Sequence, residues 1–561
     1  MLKSVKNNIH LLLFFLSVIS CGLFHEFVSA FFSVLLFAAI IYDIFKNKKL
    51  ILRVNRTGIS VFIITAAYLI CSVWAIDSGM AILGFVKFLP LPLFYVSFMQ
   101  NPEEKEKLFK YLPAFAAITT TVSAVFMQIP VIKGYFSVAG RLSGFFQYSN
   151  TFALFLLVCL IFAVTEKTPF KKTDFLYIAI IIGGILYSGS RTVMLLTVLS
   201  LAVLLVFLPQ KRIKIAVISI FAAMAAAAVI YAVISGNFDT VGRFLKTSFT
   251  ESTFLGRLLY YKDGLRVIAK HPFGLGYLGY YFCEQSIQTG FYSVRYIHND
   301  FLQLMLDVGW LPAAGFIYVI LRSFFSRGSG LRKRLLIFVI AAHASFDFDL
   351  QFVSIFVLFV LILDDKSGKV IEIKSIARTT VIIAFAAILQ LYFGIVLLFS
   401  YLELNTLALR LYPYNTEVRT KLLTEEINNE KMNEMADRIL EQNEYVSIAY
   451  SAKARYAYSV GDFGKVISYK KDVFKYAPYQ IEEYNEYCRM LIIGIQLYEQ
   501  NGDIDSAEYC KNELLEVPEI LKSVEKKTDE LAFRLTDKPQ LTLDDEILNY
   551  ITLYQNKEAK K

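Results

Sequence analysis

Between Arg56 and Asp77 the chain carries no Asp, Glu, Lys or Arg. The same holds from Arg141 to Glu166, Arg191 to Lys211, Lys214 to Asp239 and Arg378 to Glu403. About 20 apolar residues in helical form cross a hydrocarbon core, so each window is long enough to span a membrane. Composition agrees: 56% of the 561 residues are hydrophobic and 19% charged, with a mean hydropathy of +0.51. That is too apolar for a soluble protein of this length. Thirteen candidate spans follow, near 8–24, 27–45, 58–76, 79–99, 110–129, 147–165, 174–189, 191–209, 214–235, 299–321, 335–346, 350–363 and 379–402. The short eleventh and twelfth could form one broken hairpin. The first run follows Lys3 and Lys6 and reads as a transmembrane helix rather than a cleaved signal, since no small-x-small site precedes the next span.

The net charge of +9 does not point to nucleic acid, because the basic residues cluster in short loops between apolar runs. Residues 46–56, 166–172, 211–214 and 322–334 are rich in Lys and Arg and fall at every second connection. The positive-inside rule then puts all four, and the amino terminus, in the cytoplasm. The other side receives 130–146, the turn 187–191, the long segment 236–298, the turn 346–350 and the carboxy-terminal tail. The six cysteines form no CxxC pair, so the sequence offers neither a metal site nor a disulfide framework.

Two regions depart from the membrane pattern. Segment 236–298 is too long and polar for a turn, and Leu255, Leu258, Leu259, Leu265 and Ile268 within it predict an amphipathic helix at the membrane surface. Residues 403–561 are charged, rich in Tyr and free of spans. There "GDFGKVISYKKDVFKYAP" (461–478) and "GDIDSAEYCKNELLEVP" (502–518) share a Gly-Asp start, a small residue at Val466 or Ala507, and a closing Pro478 or Pro518. These features predict a tetratricopeptide-like helical-repeat domain, which either binds a protein partner on its concave face or packs on the membrane domain.

Candidate chemistry gathers at the outer ends of spans. His298 is one of five histidines. It opens the span 299–321, and Asn299, Gln303 and Asp307 follow on one helical face. A polar stripe in a membrane helix faces a cavity or another helix, and a helix N-terminus favours a neutral ring able to act as a base. Arg191 follows Ser188-Gly189-Ser190 at the first turn of a span, where a guanidinium and free backbone amides could hold a phosphate. Arg257, Arg141 and the pair His343/Asp347 in "HASFDFD" (343–349) lie on the same side. The bland alternatives are a capping histidine, a snorkelling arginine and a His343–Asp347 structural pair. Asp347-Phe348-Asp349 mimics a metal-binding DxD, but it faces outward, where nucleotide sugars are absent.

The set "GRLSGFFQYSNTFA" (140–153), "YSGSRTVM" (187–194), "GRLLYYKDGLRVIAKHPFGLGYLGY" (256–280) and "HNDFLQLMLDVGWLPAAGF" (298–316) resembles the O-antigen ligase and polymerase superfamily, over roughly residues 1–402. The resemblance implies an all-α, GT-C-like polytopic bundle of 12–13 spans (1–402, with the external loop 236–298) and a soluble helical-repeat domain (403–561). It implies a metal-independent, cofactor-free glycosyltransferase of the cytoplasmic membrane, with its carboxy-terminal domain outside the cytoplasm. The donor would be a polyprenyl-diphosphate-linked glycan, and the acceptor a glycan, lipid or protein. By motif and order, Arg191 and Arg257 would engage the diphosphate and His298 would activate the acceptor hydroxyl, with Arg141, Asn299, Gln303, His343 and Asp347 in support. A glycolipid flippase and a non-enzymatic scaffold are the rivals. The first would need charges deep in the spans, and the second leaves His298 and Arg191 unexplained.

Overall fold

A computed structural model describes residues 8–165, 172–207, 252–364 and 367–558, with single positions between 211 and 222. Most of the expected span 214–235, nearly all of the basic loop 166–172, half of the loop 211–214 and residues 236–251 lie outside the described residues. Among the described residues the chain is all-α apart from two short antiparallel strand pairs, Leu50–Val54 with Lys369–Ile373 and Ser137–Val138 with Arg141–Leu142. It divides into two compact units. The first comprises Met1–Ile70, Leu83–Ser248 and His298–Leu398, and the second Cys71–Ile82, Phe249–Ile297 and Phe399–Lys561.

The first unit is a helix bundle. Among the described residues, five helices are long and apolar enough to cross a membrane: Glu26–Asn47, Arg56–Val73, Ser78–Gln100, Pro102–Phe126 and Ile376–Tyr401. Shorter apolar helices complete it, among them Ser149–Val164 and Val353–Leu363, which are buried along almost their whole length. Helices that are apolar all round belong at the centre of a bundle. Close packing depends on small residues: a Cβ on Gly184 would sit 2.7 Å from both Leu156 Cδ1 and Thr120 Cγ2. In lipid such van der Waals contact, not water exclusion, holds helices together. The expected span 299–321 is broken instead into Asp300–Val308 and Trp310–Phe325, because Gly309 takes φ 85° and ψ 179° between them.

Polar contacts of this unit gather in two separate sets. One joins Asn8–Leu11, Asp43, residues 49–55, 100–107, 323–334 and 363–373. His10 Nε2 lies 2.7 Å from Asp43, Leu11 N–H donates to Glu104, Lys105 pairs with Asp364 at 2.8 Å, and Lys333 donates to the Leu363 carbonyl. The other joins the connections around 141–150, 188–191, 298–299 and 345–349.

The second unit contains the helix Ser252–Lys270, part of the long segment. Its Leu255 and Leu259 pack with Tyr292, Ala532 and Leu535. Part of the apolar stripe is thus covered by the tail, while Leu258 and Leu265 stay exposed. In the tail, the Gly-Asp pairs act as helix punctuation. Gly461 and Gly502 take positive φ (77° and 73°), and Asp462 and Asp503 accept from the backbone N–H of Lys465 and Ser506 to cap Phe463–Tyr476 and Ile504–Lys527. Pro518 does not end its helix, which runs on to Lys527. Leu521 and Val524 beyond it are buried, so packing offsets the hydrogen bond that the proline removes.

Candidate functional site

The site forms where the two enclosed helices begin. Tyr148, Asn150 and Thr151 lead into Ser149–Val164, and Asp347 and Asp349 precede Val353–Leu363. Polar side chains at the head of a buried helix must find partners in the protein. Asn150 Nδ2 donates to Asp347 Oδ2 (2.8 Å), and the Tyr148 hydroxyl and the Phe348 N–H donate to Asp347 Oδ1 (2.9 and 3.0 Å). Thr151 Oγ1 donates to Asp349 Oδ1 at 2.7 Å.

Each aspartate also holds a histidine. Asp349 Oδ2 lies 2.5 Å from His343 Nδ1, and Asp347 Oδ1 lies 3.3 Å from His298 Nδ1. The expected His343–Asp347 pair is therefore replaced: two residues on from Asp347, Asp349 takes His343, which frees Asp347 for His298. His298 takes φ 55°, a conformation that costs a non-glycine residue about 1–3 kcal/mol, and its ring meets Phe348 edge-on at 5.1 Å. With Nδ1–H directed at Asp347, a neutral His298 carries its lone pair on Nε2, the tautomer a general base needs.

Asn299 caps the next helix. Its Oδ1 accepts from Phe301 and Leu302 N–H, and its Nδ2 donates to the Ser345 carbonyl. Gln303 donates to Asp307 Oδ1, whose other oxygen accepts from Tyr68. The polar stripe after His298 thus turns inward and braces the helix.

Arg141 ties the arginine side to the dyad. Its Nη2 donates to Asn150 Oδ1 and its Nε to the Ser188 carbonyl, both at 2.7 Å. Gly189 must be small here, since φ is 62° and a Cβ would lie 3.3 Å from Arg141 Nε. Burial lowers the pKa of the Arg141 guanidinium; Tyr148 and Asp347 raise it, and the charge of Arg191 lowers it further. Arg191 opens the helix Arg191–Phe207 and is exposed. A continuous chain of contacts therefore runs from Arg141 through Asn150 and Asp347 to His298.

Beside Arg141 lies a mostly apolar groove of about 680 Å³. It includes Leu142, Val125, Ile129, Ile180, Gly183 and Tyr187.

Arg257 belongs to the second unit, half-buried on the helix Ser252–Lys270. Its charge acts on Tyr260, whose pKa burial and Glu284 raise and Arg257 lowers. Behind that helix, Asp263 accepts from Thr289 and Tyr292, and burial pushes the Glu284 carboxyl up to about 8. Among the described residues, no group of three or more His, Cys, Asp or Glu side chains is arranged to hold a metal ion.

Tyr148, Asn150, Thr151 and Asp349 carry more of the site than the sequence reading gave them. The available signal was the polar run Tyr148-Ser149-Asn150-Thr151 at the mouth of an otherwise apolar window.

The fold and site define a polytopic membrane protein with an arginine-flanked histidine–aspartate dyad at one end of its bundle. Residues 176–320 match the family described as O-antigen ligase, which supports the O-antigen ligase superfamily. The match supports glycan transfer of the ligase or polymerase type. No curated protein and no solved structure gave a match.

Proposed function

We propose that the protein transfers a glycan from a polyprenyl-diphosphate carrier to an acceptor hydroxyl at the outer face of the cytoplasmic membrane. The observation that carries this reading is the His298–Asp347 dyad linked through Asn150 to Arg141, with Arg191 beside it. His298 Nε2 takes the proton of the acceptor hydroxyl. The oxygen attacks the anomeric carbon, the bond from that carbon to the phosphate oxygen breaks, and the diphosphate leaves. Arg191 and Arg141 meet the charge that develops on it, a role that the resemblance also gives to Arg257. A single displacement inverts the anomeric centre. A polymerase would use the same steps with the growing glycan as acceptor.

Two further observations support the reading. The apolar groove next to Arg141 offers a path for the prenyl chain of a carrier whose diphosphate sits at the arginines. The two sets of polar contacts match the two sides assigned by the positive-inside rule: the strand pair Leu50–Val54 with Lys369–Ile373 joins connections assigned to the cytoplasm, and the dyad joins connections assigned outside. The tail is then outside as well.

The test is transfer from a purified polyprenyl-diphosphate donor in nanodiscs. Arg191→Lys and Arg257→Lys keep the charge but lose the bidentate fork, and are expected to lose most activity at normal expression; full activity of both would remove diphosphate recognition. Gly183 has open space where a Cβ would go, so Gly183→Leu is expected to raise the donor KM without loss of fold, and an unchanged KM would exclude the groove. Cysteines at exposed Ala269 and Ser459 are expected to label with an impermeant reagent in intact cells, and one at Lys46 only after lysis. The reverse pattern would invert the topology.

A further inference from the structure

The second unit contains a cavity of about 640 Å³ that the transfer chemistry does not use. We propose that it is a carbohydrate-binding site which holds a part of the glycan remote from the reacting bond. The inference rests on the reading of the protein as a glycan transferase.

Three chain segments build the cavity: Trp74–Ile76, Lys270–Leu275, and Leu440–Tyr445 with a gap at Asn443. All three are locked. The Trp74 indole N–H and the Cys71 thiol both donate to the Phe273 carbonyl, and the Trp74 and Phe273 rings meet edge-to-face at 6.2 Å. Ile76 N–H donates to the Leu275 carbonyl, and Gly276 lies so close to Ala75 that a Cβ would fall 2.4 Å from the Ala75 methyl. Beneath the third wall, buried Asp77 accepts from Thr416, Gln442 and Asn443. Glu444 is held by the Tyr476 hydroxyl at 2.7 Å. The walls therefore need little reordering when a ligand arrives, which limits the entropic cost of binding.

The lining selects the ligand class. Trp74 and Phe273 are 48% and 72% exposed, an unusual outlay of aromatic surface that suits the C–H face of a pyranose ring. The same cavity is lined by Glu441, Glu444, Tyr445, Lys270 and His271. Acceptors and donors around exposed aromatic rings match a ring of hydroxyls. Two carboxylates disfavour a diphosphate, and the charged rim disfavours an acyl chain.

The test uses the full chain in nanodiscs. The protein has two tryptophans, so Trp310→Phe leaves Trp74 as the only indole reporter. The probe is the oligosaccharide freed from its diphosphate by mild acid from the donor of the transfer assay. A saturable change in Trp74 emission is expected. It should weaken at least tenfold in Glu441→Gln/Glu444→Gln and persist in His298→Ala, and inorganic pyrophosphate should give none. Absence of a response in protein that still transfers glycan would overturn the site and leave the transferase reading standing. A response with no transfer by the wild type would instead keep the site and sink that reading. A response to pyrophosphate, or quenching of Trp74 by brominated lipids without a response to sugar, would overturn the assignment in favour of an anion site or a membrane anchor.

Discussion

Two histidine–aspartate pairs share the turn 343–349 and differ in almost every physical respect. His343 and Asp349 are 2% and 0% exposed in their side chains and 2.5 Å apart; His298 is 23% exposed and lies 3.3 Å from Asp347. The first pair resembles His10–Asp43 in the other set of polar contacts, also buried and 2.7 Å apart. A buried pair of this kind holds helices in register and is costly to break, because the survivor is left without its partner in a dry interior. The second pair is looser and reaches solvent. Catalytic hydrogen bonds are often long before substrate arrives. One short turn thus separates a buried pair from one that reaches solvent, and on the proposed function that difference in burial marks the structural pair and the working one.

The largest expected effect breaks the comparison at its histidines. His298→Ala is expected to lower kcat by at least ~10²–10⁴-fold, the usual contribution of a general base, with normal yield and unchanged donor binding. His343→Ala is expected to cost about 3–5 kcal/mol of stability while the folded fraction turns over within a few-fold of wild type. Transfer rates normalised to folded protein, with thermal melts in nanodiscs, read both. If His343→Ala is inactive when folded and His298→Ala is active, the roles are exchanged.

The aspartates come next. Asp347→Asn can donate to His298 Nδ1, which drives the ring proton to Nε2 and removes the lone pair a base needs. We expect a loss approaching that of His298→Ala, up to about 10⁴-fold in kcat as for a wrong tautomer in a His–Asp pair, with KM and melting temperature little changed. Asp349→Asn is expected to show in the melt and not in the rate. Equal effects of the two on rate would erase the distinction.

How far the sequence foretold this contrast depends on distance along the chain. The helical membrane bundle and the interest of His298, Arg191 and Arg141 were legible, because charge-free windows and polar residues at their mouths are local signals. The partner of each histidine was not. Spacing by four residues pointed to His343–Asp347, but the helix ends at Ala344, so the i, i+4 rule lapses before Asp347 is reached. Asn150 and Thr151 find Asp347 and Asp349 from nearly 200 residues away, a pairing set by tertiary packing alone. The break at Gly309 and the covering of Leu255 and Leu259 by the tail have the same origin. The Gly-Asp helix starts of the tail were legible because capping is local, whereas Pro518 was misread because burial of Leu521 and Val524 outweighs a local rule.

An intermediate effect is expected at Asn150, whose side chain hydrogen-bonds both Arg141 and Asp347. Asn150→Ala cuts the link between the arginine side and the dyad. A loss of about tenfold in kcat with a raised donor KM is expected, since Arg141 also loses an acceptor. A change in kcat alone would mean that Arg141 is held well enough by the Ser188 carbonyl and that the two halves work separately.

The smallest effect sharpens the comparison most finely. Asp347 Oδ1, the oxygen that faces His298, also accepts from the Tyr148 hydroxyl and the Phe348 N–H. Tyr148→Phe deletes one of these donors and leaves the ring, which sits 4.7 Å from Phe348 and 6.1 Å from Phe352. With one donor fewer, the carboxylate has more freedom to rotate, and His298 is aimed less well. A hydrogen bond to a charged group is worth about 1.5–3 kcal/mol, but Asn150 and the backbone still hold Asp347. Only part of that reaches the transition state, so we expect roughly a three- to tenfold drop in kcat, with yield and KM unchanged. Tyr148→Ala, which also removes the ring contacts, is expected to lower the melting temperature as well. Wild-type rates in Tyr148→Phe would mean that the orientation of Asp347 does not limit His298. A loss as large as that of His298→Ala would make the phenol itself a participant and move the acid–base chemistry from the imidazole to Tyr148.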